Sequence, residues 1–405
     1  MPALVIALVL LVVPIGSSAA DAAHNHGGVV TFYTGHRIDN PDGIASGPDD
    51  SLWFTNASNN SIGRITTTGV ITNFTGTAID APTGITEGPD GAMWFTNYAG
   101  QTIGRITKSG VVTSYRSGYV RAPQAIVAGP DGALWFANSN GVGRITTSGV
   151  VTDYTGAQFS DVVGITVGAD GALWFTNYDG NSIGRITTSG KVTTYTGAGI
   201  DGPFGITAGP DGALWFTNYL GSSIGRITTA GVVTNYTGTG IDEPVRITDG
   251  PDGALWFTNT RNDSIGRITT AGVVTNFTGP GLDSPRYITT GPDGALWFTN
   301  ALNDSIGRIT AVPKVSISPT SGAPGTSVTV SGEGYQPDEE VVVNYETGLS
   351  SASTIQICEG TAASDGMFGC SADIPSSNAG ADGVHTLEVE GQSSLATAHT
   401  KFNLT

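Results

Sequence analysis

A tryptophan recurs at a nearly constant interval along most of the chain. All seven tryptophans occupy the same place in a repeated phrase, and neighbouring ones lie 41 residues apart except for one interval of 39. They are Trp53, Trp94, Trp135, Trp174, Trp215, Trp256 and Trp297. A period of this length is typical of propellers and solenoids, in which each repeat is one supersecondary unit.

The repeated phrase predicts four short strands. It reads GIT-x-GPDGALWFTN, then a variable turn, then SIGRITT-x-GVVTNYTG. Turn signals separate the strand-like segments: Pro-Asp-Gly, an Asn/Gly-rich stretch, and a small residue followed by Gly. The 59 glycines of the chain suit such turns, because glycine tolerates positive φ. Four strands repeated seven times predict a seven-bladed β-propeller.

The two ends of the repeat predict how the ring closes. The seventh unit stops at residues 308–310 and lacks the fourth strand, whereas the matching phrase stands near the N-terminus at residues 28–34. We therefore expect the first strand to complete the last blade. Such closure removes the free edges of the sheet.

The C-terminal part of the chain has a different pattern. From residue 313 to 405, about seven segments alternate apolar and polar residues between turn clusters, which predicts an immunoglobulin-like β-sandwich. The fold class is thus all-β, with the propeller over 24–312 and the sandwich over 313–405. The two cysteines, Cys358 and Cys370, are expected to form a disulfide across a hairpin around residues 362–369.

The N-terminus and the charge indicate an exported protein. An apolar run at residues 3–14, followed by small residues, predicts a signal peptide over 1–23 and a secreted or extracytoplasmic location. The run is too short to span a bilayer comfortably. The net charge of −17 makes nucleic acid and anionic membranes poor partners. We expect a monomer.

Residues present in every unit are interpreted as scaffold. The Arg of the GRIT phrase and the Asp of the Pro-Asp-Gly turn each recur seven times, as the tryptophans do. A residue repeated sevenfold is expected to pair within or between blades rather than perform chemistry.

Two connections vary between units, namely the turn after WFTN and the crossing between blades. Strands of an up-and-down blade alternate in direction, so both connections should emerge on one face, and variable loops carry binding chemistry. The candidate ligand-binding residues are Gln124, Phe204, Glu243, Arg246, Arg286 and Tyr287. They suit a small polar ligand with some flat or apolar surface, such as a peptide or glycan fragment. The alternative is a solvated rim in which Glu243 pairs with Arg246.

The GIT-x-GPDGALWFT and IGRIT phrases resemble those of the virginiamycin B lyase family of streptogramin-inactivating enzymes, over residues 28–310. The resemblance implies a His base and Glu side chains that hold Mg²⁺, which together open a cyclic depsipeptide by elimination at its ester. The family's two histidines correspond to Val245 and Arg286, and its two glutamates correspond to Ser284 and Asn300.

These four substitutions favour a binding role over catalysis. Valine cannot carry a proton, an arginine stays protonated near neutral pH, and neutral oxygens hold Mg²⁺ poorly. No catalytic residue, metal site or cofactor is predicted. A Mg²⁺-dependent carbon–oxygen lyase, with Mg²⁺ as its cofactor, and a structural module of the cell surface remain as alternatives.

Overall fold

The computed structural model describes residues 30–310, 313–335, 339–350, 353–363, 367–392 and 397–405. The predicted signal peptide lies outside these residues. The described chain consists of strands and turns, and it contains no helix long and apolar enough to cross a membrane.

Residues 30–310 form seven antiparallel four-stranded sheets, the blades of a propeller. The strands of blades one to four are β2 (Pro41–Ser46), β3 (Ser51–Asn56), β4 (Ser61–Thr66), β5 (Ile71–Thr75); β6 (Pro82–Glu87), β7 (Met93–Asn97), β8 (Thr102–Ile106), β9 (Val112–Arg116); β10 (Ile126–Ala128), β11 (Leu134–Asn138), β12 (Gly141–Ile145), β13 (Val151–Thr155); β14 (Val162–Val167), β15 (Leu173–Asn177), β16 (Ser182–Ile186), β17 (Val192–Thr196). Those of blades five to seven are β18 (Pro203–Ala208), β19 (Leu214–Asn218), β20 (Ser223–Ile227), β21 (Val233–Tyr236); β22 (Pro244–Asp249), β23 (Leu255–Asn259), β24 (Ser264–Ile268), β25 (Val274–Phe277); β26 (Pro285–Thr290), β27 (Leu296–Asn300), β28 (Ser305–Ile309) and β1 (Val30–Thr34).

The N-terminal strand closes the ring, as the sequence predicts. Strand β1 pairs antiparallel with β28 of the last blade, with Val30 opposite Ile309 and Thr34 opposite Ser305. The ring of Tyr33 stacks on Trp297 at 5.3 Å between centroids, which repeats the stacking seen in the other blades. The first strand of the described chain therefore supplies the outer strand of the seventh blade.

The residues repeated in every blade form one hydrogen-bonded unit. In each blade the tryptophan Nε1 donates to the turn aspartate at 2.9 to 3.0 Å. The arginine Nε approaches the same carboxylate at 2.5 to 2.7 Å. For Asp90 and Asp211, burial raises the pKa of the carboxyl group, but the bonds from Trp and Arg outweigh it and lower the pKa. These side chains are scaffold, as predicted.

The core of the propeller lies between neighbouring blades. Trp53 and Ile62 of blade one pack with Met93, Phe95 and Ile106 of blade two, all of them buried. The same arrangement recurs between later blades. Each interface thus buries apolar surface that a single blade cannot cover by itself.

The C-terminal residues form two sheets around a separate apolar core. Their strands are β29 (Lys314–Ser318), β30 (Ser321–Gly322), β31 (Ser327–Glu333), β32 (Glu340–Glu346), β33 (Thr354–Thr361), β34 (Phe368–Asp373), β35 (Gly383–Gly391) and β36 (Thr397–Leu404). One sheet has the order β29-β31-β34 and the other β30-β36-β35-β32-β33. Tyr335, Val343 and Phe402 are buried between them.

The disulfide forms between the predicted cysteines but does not join a hairpin. Cys358 lies in β33, which pairs with β32, whereas Cys370 lies in β34, which pairs with β31. The chain between them crosses from one sheet to the other. The expectation of a bridged hairpin is therefore wrong, because two strands adjacent in sequence belong to different sheets. The bond ties the two layers of the sandwich together.

Candidate functional site

The inner strand of most blades begins with a β-bulge. In blades one, two, four, five, six and seven, the register shifts directly after the first residue, so that two residues face one on the next strand. That first residue is a proline in five of these blades and Val162 in blade four. Bulges redirect side chains and are frequent beside functional sites. Here they point residues of the inner strands toward the middle of the ring.

A belt of threonines holds these bulges in place. The backbone N–H of the second bulge residue donates to the Thr hydroxyl of the WFTN strand at 2.8 to 3.1 Å. That hydroxyl donates onward to a backbone carbonyl of the next blade at 2.5 to 2.9 Å. The last link runs from Thr299 to the carbonyl of Asp42, so the belt spans the closure of the ring. Blade three lacks a link because alanine stands at position 137.

The first bulge residues form a ring around one mouth of the central channel, which we call the channel ring. Its members in blade order are Asp42, Thr83, Gln124, Val163, Phe204, Val245 and Arg286. All of them except Val163, which is buried, line a cavity of about 490 Å³. Along the channel ring, the residues of blades seven, one, two and three form a polar arc, and Val163, Phe204 and Val245 form an apolar arc, of which Phe204 and Val245 line the cavity. The cavity is therefore polar on one side and apolar on the other.

The second bulge residue is small in five blades and large in two. Gly43, Gly84, Gly164 and Gly205 occupy it in blades one, two, four and five, where an added Cβ would lie 2.1 to 2.6 Å from a backbone oxygen of the next blade. Blade three has alanine. Blades six and seven instead carry Arg246 and Tyr287, and both side chains line the cavity. The sevenfold symmetry thus breaks at the site.

The guanidinium group of Arg246 lies over two aromatic rings. Its Cζ is 4.2 Å from the ring centroid of Tyr287 and 4.9 Å from that of Phe204. Only 8% of the residue is exposed. Its Nε is buried without a hydrogen-bond partner, as is the hydroxyl of Tyr287. Ring faces attract a cation, but they do not accept the hydrogen bonds that a guanidinium group can donate.

Arg286 and Asp42 are neighbours on the polar arc. An Nη1 of Arg286 lies 3.8 Å from a carboxylate oxygen of Asp42. Burial raises the pKa of Asp42 above its usual value, although Arg286 and Arg246 act to lower it. Burial also raises the pKa of Tyr287 to about 12, so its hydroxyl keeps its proton at neutral pH and can donate.

Three aromatic side chains border the apolar arc. Phe204 contacts Tyr178 and Tyr219, with ring centroids 5.9 and 6.0 Å apart. The hydroxyl of Tyr219 donates to a carboxylate oxygen of Glu243 at 3.1 Å. Glu243 also lies 3.4 Å from a guanidinium nitrogen of Arg261. The alternative pairing of Glu243 with Arg246 is therefore wrong, because the carboxylate turns to the variable loop and does not line the cavity.

The two variable connections lie on the same face and touch. The backbone N–H of Ser284 in a blade crossing donates at 2.7 Å to Asp263 in the variable turn of the preceding blade. The same contact joins Asn40 to Asp304 at 2.7 Å across the closure of the ring. The direction of the strands predicts this arrangement correctly.

The residues at the positions implied for Mg²⁺ do not fit a divalent cation. Asn300 is fully buried, and its amide nitrogen donates to the carbonyl of Gly281 and the hydroxyl of Ser305, both at 3.0 Å. Ser284 offers a neutral oxygen, and Arg286 brings a positive charge. Among the residues that the structure describes, no group of three or more His, Cys, Asp and Glu side chains is placed to hold a metal ion.

The structure brings together most of the residues predicted from the variable crossings. Gln124, Phe204, Arg246, Arg286 and Tyr287 line one cavity, whereas Glu243 stands beside it. Reasoning from the sequence missed Asp42, Tyr98 and Tyr219, which also line it. The available signal was the register of the repeat, since Asp42 has the same position in its unit as Arg286.

Seven four-stranded blades around a cavity at one mouth define a β-propeller with a candidate ligand site on its variable face. The family model of the virginiamycin B lyase family matches residues 17–199 and 196–335. The chain belongs to this family. No curated protein sequence matches it.

Solved structures of the family have the same propeller. A streptogramin B lyase structure is 34% identical with a TM-score of 0.66, covering 70% of this chain and 98% of its own. A catalytically inactive virginiamycin B lyase from Staphylococcus aureus with quinupristin is also 34% identical, with a TM-score of 0.66, covering 70% of this chain and 100% of its own. The WD40 propeller of Doa1 shares the fold alone, at 12% identity and a TM-score of 0.60, covering 71% of this chain and 97% of its own.

Proposed function

We propose that this chain is an exported binding protein whose central cavity takes a small polar ligand with an apolar face, such as a peptide or glycan fragment. The observation that carries the proposal is the channel ring, which is polar on one arc and apolar on the other. Its residues differ from blade to blade, whereas the tryptophan, arginine and aspartate of the scaffold recur in all seven blades. Ligand sites commonly combine apolar walls with a few placed polar groups.

Export is supported by the disulfide, because such bonds persist mainly in oxidising compartments. The apolar run at residues 3–14 is consistent with a signal peptide. Detection of the mature protein outside the cytoplasm, with its N-terminus near residue 24, tests this part of the proposal.

A lyase of the family type is the second candidate, and membership of the family at 34% identity favours it. One relative, the catalytically inactive virginiamycin B lyase, was solved with quinupristin. The chemistry of the residues at Val245, Ser284, Arg286 and Asn300 speaks against the family's reaction here, since they supply neither a base nor carboxylates.

Substitutions in the cavity are expected to weaken binding without unfolding the protein. Arg286→Ala and Tyr98→Ala remove side chains that are 40% and 47% exposed, so the melting temperature should hardly change. A ligand is first found by screening short peptides and glycan fragments. Each substitution should weaken the binding of this ligand by at least about 1 kcal/mol, or about fivefold in Kd, as measured by calorimetric titration.

The matched control is Tyr119→Ala, which removes a tyrosine that is 60% exposed and lies outside the cavity, and it should leave the affinity unchanged. A ligand whose affinity ignores both cavity substitutions would place the site elsewhere. A screen in which nothing binds would contradict the proposed function.

A further inference from the structure

Arg246 is a buried cation whose Nε has no hydrogen-bond acceptor. A charged group removed from water is costly unless an opposite charge or hydrogen bonds compensate it. The guanidinium carbon lies over the rings of Phe204 and Tyr287, and such contacts offset part of the cost. The Nε nevertheless has no acceptor, and no carboxylate among the described residues lies within 4.0 Å of the group.

The lining of the cavity carries a net positive charge. Arg246, Arg286 and Asp42 line it, which gives two positive charges and one negative charge. This local sign is opposite to that of the whole chain, whose net charge is −17. The field in the cavity therefore favours a ligand with one negative charge.

The hydroxyl of Tyr287 offers a further hydrogen-bond donor in the cavity. The hydroxyl of Tyr287 is buried without a partner, and its ring stacks on Arg246. A planar guanidinium group matches a carboxylate through two parallel hydrogen bonds, and a hydroxyl can donate a third. Phe204 and Val245 of the apolar arc line the same cavity and can contact an apolar part of the ligand.

We propose that Arg246 binds the carboxylate of an amphipathic monoanion, whose apolar body lies against Phe204 and Val245. This inference rests on the proposed function, since it assigns the ligand class of the same cavity. It also explains why blades six and seven replace the glycine of the repeat with Arg246 and Tyr287.

A pair of probes that differ only in charge tests the proposal. N-acetyl-L-phenylalanine carries a carboxylate, and N-acetyl-L-phenylalaninamide is its neutral counterpart. We expect the wild-type protein to bind the acid at least tenfold more tightly than the amide in calorimetric titrations at pH 7. In Arg246→Gln the preference for the acid should be lost, so that the two probes bind with equal affinity.

Asp42→Asn provides an opposite change that loss of structure cannot imitate. The variant removes the negative charge beside Arg286, so the acid should bind several-fold more tightly and the ratio of its affinity to that of the amide should rise. In the wild type, a fall from pH 7 to pH 5 should act in the same direction. Burial raises the pKa of Asp42, so its carboxylate takes up a proton at a higher pH than usual. The groups that face this carboxylate are Arg286, Arg246 and Tyr287. Asp42→Asn should abolish this pH dependence.

The outcomes separate this inference from the function on which it rests. Equal binding of both probes to the wild type, or a preference for the acid that survives in Arg246→Gln, overturns the anion site and leaves the cavity as a binding site. The anion site also fails if neither probe binds while an uncharged ligand from the screen does so in an Arg286-dependent manner. If neither the probes nor any screened ligand binds, both proposals fail.

Discussion

A protein that lacks residues 30–34 is expected to lose cooperative unfolding of the propeller. These residues form the fourth strand of the seventh blade, and each of them pairs with a residue of β28. Without them, β28 becomes a free edge, and Trp297 loses the ring that covers it. Unpaired edges promote aggregation. The loss should amount to most of the free energy of unfolding, which is about 5–15 kcal/mol in native proteins.

Urea denaturation and size-exclusion chromatography measure this effect. The matched control removes residues 397–404, which form strand β36 of the sandwich, and should leave the propeller transition in place while the sandwich transition disappears. A variant without residues 30–34 that remains monomeric and unfolds at the same urea concentration as the parent would show that β1 does not hold the ring closed.

The purified protein is expected not to open a streptogramin B ring, even with Mg²⁺ present. Loss of a general base typically costs 10²- to 10⁴-fold in rate. Here the two positions implied for histidines hold Val245 and Arg286, of which Arg286 is ion-paired with Asp42. The side chain of Asn300 donates to the carbonyl of Gly281. The carboxylates expected for a hard divalent cation are missing as well.

Chromatographic separation measures this activity best, because an elimination that opens a ring yields a product of the same mass as its substrate. The virginiamycin B lyase from Staphylococcus aureus serves as the positive control under the same conditions. Metal-dependent turnover above background, abolished by Arg286→Ala, would establish the lyase and overturn the binding role.

Much of the fold can be predicted because the same pattern of strands and turns recurs seven times in the sequence. The position of each tryptophan predicts the blade, and the strand missing after Thr310 predicts that β1 completes the ring. Both inferences depend only on local periodicity. The disulfide shows the limit of such reasoning. Cys358 and Cys370 are twelve residues apart in consecutive strands, but whether β33 and β34 pair or separate depends on the packing of the whole sandwich.

The site is predictable in part. Comparison of units singles out Arg246 and Tyr287, because they stand where four of the other five blades carry a glycine. The stacking of Arg246 over Phe204 and Tyr287 depends on the bulges of three successive blades, and so on distances between strands far apart in sequence. The threonine belt likewise cannot be predicted from the sequence of a single unit, because each hydroxyl donates to a carbonyl of the following blade. The position of Glu243 beside the cavity is not predictable from its own unit, because its partner Tyr219 lies in a different loop.

The most direct test of the central claim is a crystal structure of the protein soaked with N-acetyl-L-phenylalanine. We expect the probe in the cavity of the variable face, with its carboxylate on Arg246 and its ring against Phe204, and no probe in a crystal of Arg246→Gln soaked in the same way. A probe bound at another surface of the propeller or on the sandwich, with the channel ring left in contact with solvent alone, would contradict the claim that this cavity is the ligand site.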